Sequence, residues 1–434
     1  MRMPYIVGRW VKGANHYGRE RLITYLLTVP DNAIWVVGTR RMGKTSLLRQ
    51  LEQLTEDDQK SVFVPLFLDL QGCESAQDFS FELQYAVEEA EDRFAQFGVD
   101  PDALIDADAI FIVRHLQRAL HRHEHKLLLL IDEAEVLIRI GEQEPHWLAR
   151  LRKVLHSDRQ RTIITATKLL TRLNDVNADW TTSPFLFGFN LVNLWSLDPA
   201  AAQGLIRQTQ GNEQVAVAQD LVDEIVDVTN RHPYLIQFLC QRLYNGDQGA
   251  LRPITDVDLQ PDHLLAGFFK IDFQHLSYLE RRLLLIISDL SLAAEKEILA
   301  AASDESPGRL RTFLYGLHKL NYIRQVDERW MVGNAFFEQW LRHHAIELRS
   351  QIDSDVSDRR MEELLQRSAD QEQEFLQHEI TRLQAMLAHL NEQRMDGAGD
   401  ARAVQQNIEQ VRRELARVQG ELAMLKGALA SPQL

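Results

Sequence analysis

Near its start, the chain passes from an apolar run through a glycine-bounded loop into a helical pattern. The run is Ala33 to Val37, the loop is Gly38-Thr39-Arg40-Arg41-Met42-Gly43-Lys44-Thr45, and TSLLRQLEQL continues as the helix. The loop fits G-x-x-x-x-G-K-[ST], in which the glycines let successive backbone N–H groups turn inward around phosphate oxygens. Because such a loop joins a strand to a helix, the sequence predicts an α/β P-loop fold with a parallel sheet.

The positions of this loop have predicted roles toward a bound nucleotide. Lys44 is predicted to place its ammonium against the β- and γ-phosphates, and Thr45 to offer its hydroxyl to Mg²⁺. The following helix points its positive N-terminal end at the anion. The predicted nucleotide-binding residues of the loop are Gly38, Thr39, Arg40, Arg41, Met42, Gly43, Lys44, Thr45 and Ser46.

Two carboxylates end a second apolar run, Leu127 to Ile131. A buried parallel strand delivers its last side chains to the carboxyl edge of the sheet, where ligands bind. Asp132 is therefore predicted to hold Mg²⁺, and Glu133 to be the catalytic base for the attacking water. Lys44, placed against the phosphates, is the other predicted catalytic residue. The alternative is that the acidic pair only caps a helix starting at Ala134.

The next apolar run, Arg161 to Thr167, ends in hydroxyl side chains. At the polar end of a strand, the hydroxyl of Thr165 or Thr167 is placed to sense a γ-phosphate, and Thr167 is the predicted nucleotide contact. Threonine is also a good strand residue, so a purely structural role is the alternative.

Short apolar runs alternate with helical patterns from Ala33 to about Leu194, as expected for a parallel sheet covered by helices. The predicted strands are Ile34 to Val37, Val62 to Leu70, Lys126 to Ile131, Arg161 to Thr167 and Asn190 to Leu194. We predict an ATPase core over residues 1–198 and an all-helical lid over 199–270, where Ala218 to Thr229 and Pro233 to Tyr244 show helical spacing.

The remainder of the chain is predicted to form two further regions. Over 271–349, three helical stretches (Leu276 to Ser288, Ala293 to Ala302 and Gly308 to Leu320) precede a hairpin at Tyr322 to Val332, which is typical of a winged helix. Over 355–430, heptad seams at Leu376 to Leu390 and Val404 to Leu429 predict a coiled coil. The glycines of Asp396 to Asp400 allow an antiparallel hairpin, and joining of separate chains is the alternative.

Composition and charge restrict the class of protein. The formal net charge is -15, which disfavours coating of DNA or anionic membranes by the whole surface. The two cysteines, Cys73 and Cys240, show no disulfide spacing and favour reduced thiols. No apolar run is long enough to span a bilayer. The sequence therefore predicts a cytoplasmic protein with no membrane partner.

Together these motifs resemble the STAND group of AAA+-type ATPases and their relatives among archaeal ATPases and origin-recognition initiators. The resemblance covers about Pro4 to His344. Tyr17-Gly18-Arg19-Glu20 is similar to the hydrophobic-GRE signature of the segment over the adenine, which implies nucleotide contacts for Gly18 and Arg19. Thr229 to Leu235 resembles the proline-bearing turn of the lid, which implies the same for His232 and Pro233.

One departure from the family pattern affects the lid. The usual glycine is missing, and Asn230 and Arg231 lie in its neighbourhood. The resemblance otherwise implies an AAA+-like sheet followed by a lid and a winged helix, with ATP and Mg²⁺ as ligands.

Three functions are compatible with these features. The leading prediction is an ATP-hydrolysing STAND-type switch that couples nucleotide state to self-association or to a protein partner, bound through the coiled coil or winged helix, in bacterial signalling or defence. The alternatives are a DNA-binding AAA+ initiator or transposition-type regulator, and a coiled-coil adaptor that binds ATP structurally.

Two weaker signals bear on nucleic acids and metals. Arg309, Arg311, His318 and Lys319 make the third helix of the winged-helix region basic, but acidic residues flank it, so DNA is not the favoured partner. In HRHEH, His121 and His125 would share one helical face. Without further ligands at zinc-like spacing, a solvated helix end is favoured over a metal site.

Overall fold

The computed structural model describes residues 3–58, 60–173, 185–211, 214–354 and parts of the segment 376–422 (376–377, 380–388, 390–391, 405, 408–409, 411–412, 415–416, 418–420 and 422). It contains two compact units. The first comprises Met1–Asp272 and Asn334–Trp340, and the second comprises Phe273–Gly333 and Leu341–Leu434. The predicted division into four regions is finer than this and stays a prediction.

A five-stranded parallel sheet forms the centre of the first unit, with the order β2-β3-β4-β1-β5. Its strands are β1 Ala33–Val37, β2 Phe63–Asp69, β3 Lys126–Asp132, β4 Gln160–Ala166 and β5 Asn190–Asn193. All residues of β1 and β4 are buried, because helices cover the sheet. The predicted α/β P-loop fold with a parallel sheet is confirmed.

Helices pack around this sheet and continue beyond it. Those that precede β5 are Glu20–Thr28, Lys44–Asp57, Ala76–Glu89, Glu91–Ala95, Ala109–His121, Val136–Gln143 and Pro145–Leu155, with short 3₁₀ turns at Gly13–Asn15, Pro101–Leu104 and Lys168–Arg172. The predicted lid region contains Pro199–Arg207, Gln219–Thr229 and Pro233–Leu243, with the small hairpin β6 Tyr244–Asn245 and β7 Ala250–Leu251. The helix His263–Gln274 crosses the predicted boundary at residue 270.

The second unit begins with three helices and a three-stranded sheet of order β8-β10-β9. The helices are Tyr278–Leu290, Glu295–Ala301 and Pro307–Lys319, and the strands are β8 Ala293–Ala294, β9 Ile323–Val326 and β10 Arg329–Val332. The turn between β9 and β10 consists of Asp327 and Glu328, both with positive φ, as a two-residue hairpin turn requires. Ala293 and Ala294, predicted as helix, instead pair with β10.

The helix Ala335–Ser354 follows this sheet along the chain. Farther on, side chains from both predicted heptad seams lie in one hydrophobic cluster, which includes Leu376, Leu383, Ile408 and Val418. The predicted turn at Asp396 to Asp400 lies outside the described residues, as do Val404, Leu425 and Leu429 of the second seam. The coiled coil therefore stays a prediction.

The histidines of HRHEH are not arranged as the sequence suggested. The helix Ala109–His121 ends at the first of them, and Glu124 has a φ of 61°, so His121 and His125 do not share a helical face. No cluster of metal-ligating His, Cys, Asp or Glu occurs among the described residues. None of the helices in the described part of the chain is both long enough and apolar enough to cross a membrane.

Candidate functional site

The loop between β1 and the helix Lys44–Asp57 lies at the carboxyl edge of the sheet. Val37, the last residue of β1, pairs with Ala166, the last residue of β4. The Gly38 N–H donates to the carbonyl of Ala166 at 3.2 Å, which fixes the start of the loop. Parallel register therefore brings the loop and the end of β3 to the same edge, as the sequence predicted.

The loop turns back on itself around one lysine. Lys44 is buried, and its Nζ donates to the carbonyl oxygens of Gly38 at 3.1 Å and Thr39 at 3.2 Å. Gly43 has a φ of +96°, and a Cβ added there would meet no atom within 4 Å. A left-handed glycine before a helix N-terminus, open space and a buried ammonium make a cradle suited to phosphate. Met42 is buried in a core cluster that includes Ile34 and Leu47, so its side chain packs in the core.

Asp132 lies at the end of β3 and accepts hydrogen bonds from two hydroxyl groups. Thr45 Oγ1 donates to Asp132 Oδ2 at 2.5 Å, and Thr165 Oγ1 donates to Oδ1. A hydroxyl and a carboxylate at the helix N-terminus are ligands suited to Mg²⁺, which keeps several waters and shares the phosphates of its nucleotide. The geometry of Thr45 and Asp132 therefore fits the predicted metal role.

Glu133 leaves the strand in a strained conformation, with a φ of 53°. The following helix begins at Val136, and its N-cap residue is Glu135, which makes no side-chain capping bond. The alternative that the acidic pair caps a helix starting at Ala134 is therefore wrong. Burial raises the pKa of Glu133, the nearby Glu135 carboxylate adds to the rise, and Lys44 opposes it. A raised carboxyl pKa suits a general base near neutral pH.

The two threonines predicted as phosphate sensors have different surroundings. Thr165 contacts Asp132 directly. Thr167 caps the 3₁₀ turn Lys168–Arg172, because its Oγ1 accepts from the Leu169 N–H at 3.4 Å and its own N–H donates to Glu135 Oε1 at 2.5 Å. The structure thus brings Thr165 to Asp132 and gives Thr167 a capping contact.

Arg40 and Arg41 link the loop to the predicted lid. The Nε of Arg40 lies 3.5 Å from Oδ1 of Asp272, whose side chain is 13% exposed. The guanidinium of Arg41 lies 4.3 Å from the ring centre of Phe268 and 5.5 Å from that of Tyr234. No role was predicted from the sequence for Tyr234, Phe268 or Asp272. Asp272 lies two residues beyond the predicted lid, and its only signal in the sequence is an acidic residue within the largely apolar stretch FFKIDF.

Asp272 is largely buried, which disfavours the ionised form of its carboxyl group. Burial raises its pKa to about 6, although the positive charges of Arg40 and Lys44 favour its ionised form. Both of these cations are predicted to bind phosphate. The Asp272 carboxylate and a nucleotide phosphate would therefore compete for the same positive groups.

The N-terminal segment runs along both the sheet domain and the lid. The Val11 N–H donates to Ser46 Oγ at 3.1 Å, so the hydroxyl of Ser46 holds this segment. The Gln210 N–H donates to the hydroxyl of Tyr17 at 3.1 Å. Gly18 has a φ of +71°, and a Cβ there would lie 2.6 Å from the Cβ of Ala201, so only glycine fits.

Arg19 lies close enough to His232 for its charge to act on the imidazole ring. Arg19 Nη1 donates to the Ser196 carbonyl at 3.3 Å, and burial lowers the pKa of Arg19 to about 10, partly offset by Asp198. Burial also lowers the pKa of His232 to about 4, and the charge of Arg19 acts in the same direction. His232 is therefore neutral at physiological pH and is placed to donate or accept one hydrogen bond.

The lid turn retains the backbone geometry that glycine usually provides. Asn230 and Arg231 have φ values of 48° and 57°, and His232 and Pro233 are the N-cap and first residues of the helix Pro233–Leu243. The Leu197 N–H donates to the Arg231 carbonyl at 3.0 Å, so the turn is tied to the chain that leaves β5. The missing glycine is thus replaced by two residues that adopt the left-handed region.

Comparisons with known proteins agree with this geometry. Residues 29–172 match the family model described as AAA domain. A solved Walker-type ATPase of Pyrococcus abyssi is similar at 16% identity and a TM-score of 0.56, covering 78% of this chain and 100% of the other. The ORC2 protein of Aeropyrum pernix, solved as ADPNP-ADP complexes, has 12% identity, coverages of 81% and 97% and a TM-score of 0.48. No curated protein matches the sequence.

The matched segment contains the loop, β3 with its acidic end, and the strand that carries Thr165. The first of these solved structures shares the fold over the greater part of the chain. The chain is therefore an ATPase with an AAA+ P-loop fold, whose AAA domain spans residues 29–172.

Proposed function

We propose that the chain is a nucleotide-dependent switch of the STAND type, with ATP as substrate and Mg²⁺ as cofactor. Lys44 and the loop N–H groups bind the phosphates, and Thr45 and Asp132 hold the metal. Bound Mg²⁺ would neutralise the charge that develops on the transferred phosphoryl group. Glu133 accepts the proton of the attacking water, and Thr165 positions Asp132 through its hydroxyl.

The contacts of Arg40 and Arg41 carry this proposal. In a P-loop the residues between the glycines face the phosphates or solvent, whereas here both arginines reach the helices of the lid. Binding of a phosphate would draw Arg40 away from Asp272 and change the contacts of the helix His263–Gln274. The same residues therefore respond to the nucleotide and hold the lid, which supplies the difference in affinity that a switch requires.

The helix His263–Gln274 is also the segment through which the chain leaves the first unit. A change in how this helix is held is therefore placed to affect the residues that follow. We propose that the second unit contains a winged helix and a coiled coil, and that these present a surface for a protein partner or for self-association. A bacterial signalling or defence role fits this arrangement.

Hydrogen exchange of the full chain tests the switch. The Glu133→Gln variant is used because it is expected to bind ATP without hydrolysing it. Its amide exchange is measured in three states: with ATP, with ADP and without nucleotide. We expect amide exchange in Pro233–Leu243 and His263–Gln274 to differ between ATP and ADP, because only ATP has the γ-phosphate that competes for Arg40. Lys44→Ala should abolish the difference. Identical exchange in the two nucleotides would contradict the switch.

DNA binding is the second candidate function. The contacts of the basic residues in the helix Pro307–Lys319 argue against it. Arg311 Nε donates to Glu295 at 2.7 Å, and Arg309 lies 3.4 Å from Glu305. Lys319 is buried, with its Nζ 5.2 Å from the ring centre of Tyr315. These basic groups are neutralised or covered within the unit, so we favour a protein output over DNA.

A further inference from the structure

A groove of about 760 Å³ opens on the first unit, and neither the phosphate loop nor residues 199–270 contribute to its lining. It is bounded by the turn that follows β2, by one face of the helix Ala76–Glu89 and by the residues after the 3₁₀ turn Pro101–Leu104. No role in nucleotide binding is predicted for any residue that lines it.

Large apolar side chains line this groove in contact with solvent. Phe81 is 40% exposed, Tyr85 is 63% exposed and Ile105 is 58% exposed. Phe81 and Tyr85 are four residues apart and therefore neighbours on one helix face. Exposed apolar side chains that cluster in a concave surface with a polar rim are typical of a protein interaction site.

The rim of the groove is acidic and lacks compensating cations. Glu82, Glu88 and Asp106 line it, and none of them forms an ion pair with any residue that the structure describes. Around them, residues 71–110 contain eleven Asp or Glu, one arginine and no lysine, a net charge of -10 out of -15 for the whole chain. The stretch of chain that supplies the lining of this groove thus carries about two thirds of the net negative charge.

The apolar lining and the acidic residues of the groove together restrict the kind of partner that can bind there. An anionic partner, such as a nucleic acid or an acidic membrane surface, would be repelled. A segment with apolar anchors alone would leave the carboxylates uncompensated, and a purely cationic segment would leave the aromatic rings in water. Apolar anchors flanked by Lys or Arg would satisfy both features.

We propose that this groove docks a positively charged amphipathic segment of a partner protein. Phe81, Tyr85 and Ile105 contact its apolar side chains, and Glu82, Glu88 and Asp106 contact its Lys or Arg side chains. The partner site therefore lies on the ATPase unit itself, separate from the winged helix and coiled coil. Docking does not require nucleotide hydrolysis, so the proposal is independent of the switch.

Fluorescence anisotropy with the full chain tests the charge requirement. The probe is a labelled amphipathic peptide of Lys, Leu and Phe, and matched peptides replace every Lys by Glu or every Leu and Phe by Ser. We expect the first to bind at least about tenfold more tightly than either matched peptide. Glu82→Lys with Glu88→Lys should weaken it at least about tenfold. The control, Asp220→Lys with Glu224→Lys, makes the same charge change on another exposed helix and should leave binding unchanged.

A second variant tests the apolar requirement. Phe81→Ser with Tyr85→Ser removes two exposed rings, so the fold should be retained, and peptide binding should fall by about tenfold or more. Three results would overturn the proposal: equal binding of the all-polar Lys peptide, unchanged binding by both groove variants, or a change in oligomeric state caused by Phe81→Ser with Tyr85→Ser. The last result would place a second copy of this chain in the groove.

Discussion

The phosphate loop Gly38 to Thr45 and the helix Pro307–Lys319 each carry three Lys or Arg residues in a short stretch. In the loop, Lys44 donates to two carbonyl groups beside an open glycine cradle, and the largely buried carboxylate of Asp272 lies beside Arg40. In the helix, the arginines lie against surface carboxylates and the lysine is buried beside a tyrosine ring. The two stretches carry the same number of cations, but only the loop combines them with an inward-turning backbone and an open space suited to an anion.

Among the substitutions that test this comparison, the largest change in activity is expected at Glu133. Glu133→Gln keeps the shape of the side chain but cannot accept the proton of water, so kcat should fall by about 10²- to 10⁴-fold while ATP still binds. Steady-state turnover and equilibrium binding of ATP measure the two quantities separately. The matched control, Glu135→Gln, retains an oxygen that can accept the Thr167 N–H and should keep most of the activity. Comparable turnover in the Glu133 variant and the native chain would remove Glu133 from the mechanism.

Charge reversal in the helix Pro307–Lys319 should have a moderate effect on stability. Arg309→Glu with Arg311→Glu replaces two ion pairs by like-charge contacts with Glu305 and Glu295, so the free energy of unfolding should fall by about 1 kcal/mol. Duplex DNA binding should be negligible before and after the change. A salt-dependent affinity for duplex DNA in the native chain that this reversal abolishes would instead support the DNA-binding alternative.

A pH dependence of stability is expected to arise from Asp272. Its pKa in the folded chain, about 6, lies above its ordinary value of 3.8, so ionisation of this group opposes folding above that range. Asp272→Asn should therefore raise the unfolding temperature at pH 7.5, and the gain should disappear as the pH falls from about 6 to about 4. Thermal unfolding of both chains across this range measures the difference. A gain that persists at pH 4 would assign the effect to packing instead of charge.

The sequence predicted those features that depend on local patterns. Each of the five strands lies within one residue of its predicted bounds, because a buried parallel strand is a continuous apolar run bounded by polar residues. The proximity of the loop to Asp132 was also predictable, because the carboxyl ends of parallel strands lie at one edge of the sheet.

Features that depend on distant parts of the chain were not predicted. The contacts of Arg40 with Asp272 and of Arg41 with Phe268 join segments far apart in sequence. Ala293 and Ala294 form a strand only because β10 pairs with them, which overrides their preference for helix. Sequence also gave no indication that Asn230 and Arg231 would both adopt left-handed conformations in place of a glycine.

The affinity of Asp272→Asn for ATP tests the central claim most directly. The claim is that the cations of the loop are available to phosphate and that Asp272 is the internal group that competes for them. Titration of the full chain with ATP and Mg²⁺ should show a dissociation constant about five- to tenfold lower than that of the native chain. Asp262→Asn, a lid variant whose carboxylate lies 3.9 Å from Arg242, should show no change. An unchanged or weaker affinity in Asp272→Asn would contradict the account.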